Sequence, residues 1–174
     1  VCPPMRRKLG VLRSGVLTER SRLPKEEGFL VAERPELFTN NAYLARRVSG
    51  TCHLVGGSAF DVLVALRDRI HLGGRLLTHP LCGNLRPHQQ PFRSALLAGV
   101  SEDERLSLCA ESLALVEEAL AVYRSCEGRW ALPGQIPVAV EEDYACVDAE
   151  LMRETLTRYG LWTGVPGGTL REGR

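Results

Sequence analysis

"TCHLVGGSAFDVLVALRDRIHLGGRLLT", residues 51–78, holds in order an apolar run, a glycine pair, an amphipathic helix, a second glycine pair and another apolar run. Thr51-Cys52-His53-Leu54-Val55 reads as a strand closed by Gly56-Gly57. Ser58-x-x-Asp61 resembles a capping box, in which hydroxyl and carboxylate each satisfy the other's backbone N–H. Behind it Ala59, Val62, Leu63, Leu66 and Ile70 fall at i, i+3, i+4, i+7 and i+11, which is one helical face. Asp61, Arg67, Asp68 and Arg69 lie mostly off that face, and Gly73-Gly74 stops the helix before Arg75-Leu76-Leu77-Thr78, a further strand.

The same alternation extends both ways. Upstream, Glu36–Thr39 reads as a strand and Asn40-Asn41 as capping residues for a short helix from Ala42 to about Arg47. Downstream, Ser94–Ala98 is a fourth strand. The link from about Pro80 to Arg93 has no helical pattern, so it is either an irregular crossover or a route to an antiparallel edge strand. Ser101-x-x-Glu104 is a second capping box, opening a helix to about Cys126 with apolar stripes at Leu106, Cys109, Leu113, Val116, Leu120, Tyr123 and at Leu108, Leu115, Val122. So wide an apolar arc is either buried in the domain or covered by a partner, a second copy included. Trp130–Pro137 reads as a Pro/Gly connector, Glu141-Glu142-Asp143 after it as a solvated face in a connecting stretch, and a last helix as starting near Asp148 and stopping at Gly160.

These elements predict an α/β fold, a three-layer sandwich with a small, mainly parallel sheet of about four strands, in a single domain over residues 31–160. Residues 161–174 read as a disordered tail. Residues 1–30 read as a basic, disordered leader, with Arg6, Arg7, Lys8, Arg13, Arg20, Arg22 and Lys25 against Glu19 alone. A misplaced start fits them equally: in a bacterial gene, codons for Lys25-Glu26-Glu27-Gly28 can resemble a ribosome-binding site ahead of a start at Leu30 or Val31.

The 174 residues are 44% hydrophobic and 25% charged, with net charge +1. That balance argues against a general electrostatic grip on nucleic acid or membrane. The six Cys form no CxxC pair, and the chain shows neither a secretory signal nor a membrane-length apolar run, which points to a reduced cytoplasmic setting.

In an open α/β sheet ligands gather beyond the carboxyl ends of strands. Thr39-Asn40-Asn41 and Thr78-His79-Pro80 occupy such positions, and they face one crevice if their strands are neighbours. There they supply neutral donors and acceptors, and the next helix N-terminus favours an anion. The plainer alternative is that the Asn pair caps a helix and His79 bonds to backbone. Cys82 with His79 or His88 could form a nucleophilic pair, but no nucleophile-elbow context surrounds it. His79-x2-Cys82-x5-His88 matches no zinc spacing, so no metal site is assigned, and nothing implies a cofactor. Gly83-Asn84-Leu85-Arg86 and Arg93 join flexible backbone to positive charge, which suits an anion, although no P-loop pattern is present.

"FTNN" at 38–41, "GGSAFDVLVALRDRIHLGGRLLTHPLCGNLRPHQQPFRSALLAG" at 56–99 and "EEDYACVDAELM" at 141–152 together resemble the GrdX family, over roughly residues 36–155. The core "RDxIHxGxxLLTHPLxG" is the most specific part. Thr39-Asn40-Asn41, Asp61, Arg67-Asp68, His71 and Thr78-His79-Pro80 match the family pattern. Cys82 stands where the family carries Ser, and His88 where it has no fixed His, which weakens both the thiol and the metal readings. The resemblance implies an accessory protein of a glycine, sarcosine or betaine reductase system, with reductase subunits as partners. On that reading a small anionic ligand or a reductase component binds near Thr39, Asn40, Asn41, Thr78, His79, Pro80, Gly83, Asn84 and Arg86, supported by Asp61, Arg67 and Asp68. The alternatives are a small enzyme with His79 as acid/base and a protein–protein adaptor working through the 101–126 helix.

Overall fold

A computed structural model of the chain describes residues 34–83, 86–99, 108–164 and 171–172, and residues 32–174 form one compact unit. The leader, Asn84 and the Ser101–Glu104 capping box lie outside the described residues. β1 (Pro35–Thr39) leads through α1 (Ala42–Ala45) to β2 (Thr51–Leu54), which lies parallel to it. α2 (Ala59–His71) follows, and its predicted capping box is formed: Asp61 Oδ2 accepts from the Ser58 N–H at 2.7 Å while the Ser58 hydroxyl accepts from the Asp61 N–H. β3 (Arg75–Leu76) comes next, then a single 3₁₀ turn at Pro87–Gln89 and β4 (Ser94–Ala98). α3 (Ala110–Arg124), α4 (Val138–Arg158) and β5 (Arg171–Glu172) complete the order.

The sheet runs β3-β4-β1-β2-β5. Its class is α/β, but it is mixed where the sequence suggested a mainly parallel sheet. β4 pairs antiparallel with both β1 and β3. The reason lies in the 77–93 link, whose described residues hold no crossover helix to carry the chain back to the starting edge. Nor is β4 an edge strand. All five of its residues are buried, as its unbroken Ser-Ala-Leu-Leu-Ala run suits, and it fills the space between β1 and β3.

The two faces of the sheet feed different cores. Phe38, Ala95 and Leu97 pack with Val62, Leu63, Leu66 and Ile70 of α2 and with Val116, Leu120 and Tyr123 of α3. Leu37, Cys52 and Leu96 pack with Leu44 of α1 and with Ala149, Met152 and Leu156 of α4. Alternate residues of β1 and β4 thus reach opposite cores, as the period of a strand requires. α3 buries Val116, Ala119, Leu120 and Tyr123 within the domain and leaves Val122 exposed, while Leu108, expected within this helix, is exposed ahead of its start at Ala110. Its Ser112 hydroxyl also accepts from the Leu76 N–H at 3.0 Å, satisfying a donor on the β3 edge.

α4 begins at Val138, ten residues before the helix start inferred from sequence, and takes in Glu141, Glu142 and Asp143. Pro137 just before the first turn and Glu141 within it both favour a helix start there. Within the tail read as disordered, Leu161 and Trp162 pack on the second core and Arg171–Glu172 pair parallel with β2. Among the described residues no helix is long and apolar enough to cross a membrane.

At the amino end of β1, Glu36 accepts from both Arg69 and His53. Burial alone would raise its pKa, but these two partners hold it at about 2, below the ordinary 4.5. The ionised pair therefore stabilises the fold above about pH 4.5, and that stability is lost as pH falls toward 2. Arg69→Ala is expected to cost about 1–3 kcal/mol at pH 7, with the difference from wild type shrinking through that window in urea titrations. Leu96→Ala, at the fully buried centre of β4, should cost about 3–4 kcal/mol at neutral pH in the same assay.

Candidate functional site

The chain leaving β1 is fixed by three consecutive polar side chains, all buried. Thr39 Oγ1 lies 2.7 Å from Ser94 Oγ on β4 and accepts from the Asn41 N–H at 2.9 Å. Asn40 makes three hydrogen bonds to two loop segments: its Nδ2 donates to the carbonyls of Pro91 and Gly57, and its Oδ1 accepts from the Arg93 N–H. Asn41 is the N-cap of α1, its Oδ1 accepting from the N–H groups of Tyr43 and Leu44. Its Nδ2 donates to the Ala145 carbonyl at 2.8 Å and to Asp148 Oδ2 at 2.9 Å, both on α4.

Asp148 gathers the ends of this network. The Ser94 hydroxyl donates to the same Oδ2 at 2.7 Å. Burial pushes the Asp148 carboxyl above its ordinary pKa, against the Asn41 and Ser94 hydrogen bonds and the nearby Arg93 charge, which favour the anion. Asp148 also lines a small hollow of about 10 Å3 with Gln90, Phe92, Tyr144 and Val147, space for roughly one water-sized group.

Arg93 stands behind that hollow, 3% exposed. Its Nη1 donates to the Cys82 carbonyl at 3.0 Å, and its Nη2 to Gln90 Oε1 and, at 3.3 Å, to the Tyr123 hydroxyl. All three acceptors are neutral, and the buried Nε has no hydrogen-bond partner. A buried guanidinium in such surroundings keeps a field that an anion would relieve. Tyr123 donates in turn to the Pro87 carbonyl at 2.9 Å, and burial raises its phenol pKa despite the Arg93 charge.

The second polar cluster does not join the first. β4 separates β3 from β1, so the two carboxyl ends are not neighbours. Thr78 Oγ1 accepts from the Leu96 N–H at 2.9 Å and prolongs the β3–β4 pairing. His79 is exposed, and its Nδ1 accepts from the Leu81 N–H at 3.1 Å, which leaves the neutral ring's proton on Nε2. No carboxylate orients that ring among the described residues: Asp61 is engaged in its capping box and Asp68 pairs with Arg67. Pro80 is buried and Arg86 exposed. Gly83 has φ +108°, and a Cβ there would stand 2.9 Å from the Leu151 side chain, so the loop reaches α4 only with glycine at this position. Cys52 is buried, which pushes its thiol to about 11 and leaves it inert. No group of three or more His, Cys, Asp or Glu side chains among the described residues is arranged to hold a metal.

Asp148, Gln90 and Tyr123 are the site residues that the sequence reading missed. The signal for Asp148 was a lone acid at the i+3 position between Ala145 and Ala149, on the buried stripe of α4. Asn41→Ala removes a cap and two donors to α4 and is expected to cost about 2 kcal/mol in chemical denaturation. Asp148→Asn carries the opposite sign at neutral pH. A carboxyl with a raised folded pKa stabilises most below its unfolded value and loses that contribution as pH rises through the folded one. The variant's stability relative to wild type should therefore increase with pH in parallel melts across the acid-to-neutral range.

Neither a curated protein nor a solved structure matches the chain significantly. A family model described as GrdX-like protein does match, over residues 36–157, a span that runs from within β1 into the last turn of α4 and holds every residue of the polar network. The chain belongs to the GrdX-like family.

Proposed function

We propose that this chain is an accessory protein of a glycine, sarcosine or betaine reductase system that holds a small molecule bearing an anionic group at the carboxyl end of β1. Family membership supports the link to the reductase system. The observation that carries the ligand reading is the buried Arg93 guanidinium, with its unpartnered Nε and wholly neutral acceptors. Gln90 connects it to the hollow, since its Oε1 accepts from Arg93 while its side chain forms part of the wall. An anionic oxygen in the hollow takes a hydrogen bond from Gln90 Nε2 and feels the guanidinium one residue behind.

His79, Gly83 and Arg86 belong to the segment that leads to Gln90 and form the approach to the ligand, with exposed Arg86 attracting it. Thr39, Asn40 and Asn41 hold the floor in place and bind it only indirectly. The protein works in the cytoplasm and passes its ligand to, or senses it for, reductase subunits.

The test is a thermal melt with acetate, glycine or inorganic phosphate at millimolar concentration. At least one is expected to raise the wild-type Tm by a few degrees, and that rise should vanish in Val147→Trp, which fills the hollow, and in Gln90→Leu. No rise with any of the three would refute the anion reading. A rise that persists in Val147→Trp would move the ligand elsewhere.

A further inference from the structure

The charges around the hollow limit what it can hold. Gln90, Phe92, Tyr144, Val147 and Asp148 form its wall, which contains one acid and no Lys, Arg or His. The cation that attracts an anion, Arg93, is buried one layer back, and its charge also reaches Asp148. A first negative charge on a ligand is answered by that guanidinium. A second is answered by no group in the wall, faces Asp148, and gives up its hydration for nothing in return.

The donors lead the same way. The Gln90 Oε1 is engaged by Arg93, while its Nε2 donates to no described residue, and the Tyr144 hydroxyl has no hydrogen-bond partner among the described residues either. Both are neutral. Phosphate and sulfate groups are ordinarily held by cationic side chains that bond several oxygens at once, which this wall lacks. A carboxylate presents two acceptor oxygens and a single charge. One of those oxygens fills a space the size of a water molecule, and Phe92 and half-exposed Val147 offer apolar contact to the carbon behind it.

We propose that the hollow selects a singly charged carboxylate over doubly charged oxyanions, with Gln90 Nε2 and the Tyr144 hydroxyl as the donors that select it. This selectivity rests on the anion site described above, and it adds the class of ligand and Tyr144 as a specificity-determining residue. A compact carboxylate with a short apolar body fits the wall, and phosphorylated or sulfated molecules do not.

The experiment is an NMR titration of the full chain, following the Gln90 side-chain amide, whose signals are assigned by their loss in Gln90→Leu. Sodium acetate and sodium sulfate are the probes, at neutral pH and matched ionic strength. Acetate should shift the amide signals and saturate in the millimolar range, with sulfate binding about tenfold more weakly or worse. Tyr144→Phe should weaken acetate about three- to tenfold and keep the wild-type melting temperature, because the hydroxyl holds nothing else in the described fold. Sulfate binding as tightly as acetate, or unchanged acetate affinity in Tyr144→Phe, would overturn the carboxylate assignment and leave the anion site standing. No response of the amide to either salt would overturn both.

Discussion

The Asn41 side chain joins parts of the molecule that the backbone alone leaves separate. Its Oδ1 caps α1 and its Nδ2 reaches the Ala145 carbonyl and Asp148 of α4. A helix of four residues cannot persist by its own hydrogen bonds, so α1 depends on that cap and on Leu44 and Ala45 packing in the second core. The same side chain fixes the depth at which α4 meets the sheet. Asp148 is thereby held against Ser94, and Ser94 against Thr39, so β1, β4, α1 and α4 share one connected set of polar bonds. Such a network is stable because its members satisfy one another, and removing any of them strands a buried group.

Two carboxyl groups mark the two ends of β1 and respond to opposite conditions. Glu36 enters the strand beside Arg69 and His53, which keep it ionised well into acid. Asp148 sits beyond the far end among neutral donors, where burial outweighs the hydrogen bonds it receives. Environment, rather than residue type, decides which of the two is held ionised and which is pushed toward its neutral form.

Much of this fold was legible in the chain. The capping box at Ser58–Asp61, the apolar face from Ala59 to Ile70 and the strands at 36–39, 51–54 and 94–98 follow from spacing and turn chemistry that act within a few residues. The direction and place of β4 were not legible, because strand order is set by which edges remain open and local patterning does not record it. The start of α4 was misjudged because its first turns are acidic and exposed, so they resemble a solvated connector until Ala145 and Ala149 are seen to be buried. At the site, Asn41 caps α1 as its place before the helix suggested, while Asn40 binds loop carbonyls and the Arg93 N–H, contacts that no local pattern announces. Asp148 lies more than a hundred residues from Asn41, and no periodicity links them.

The central position of β4 governs the order in which the molecule can assemble. β1, β2 and α2 are complete by residue 71, yet β1 still presents an open hydrogen-bonding edge, and Leu96 and Leu97, which reach both cores, are still to come. During synthesis an emerging chain must therefore keep that edge unpaired until residue 98 is available, and the second core is unsealed until α4 follows. A nascent chain paused in that interval carries a bare strand flanked by apolar side chains, the kind of surface that draws in foreign strands or a holding chaperone.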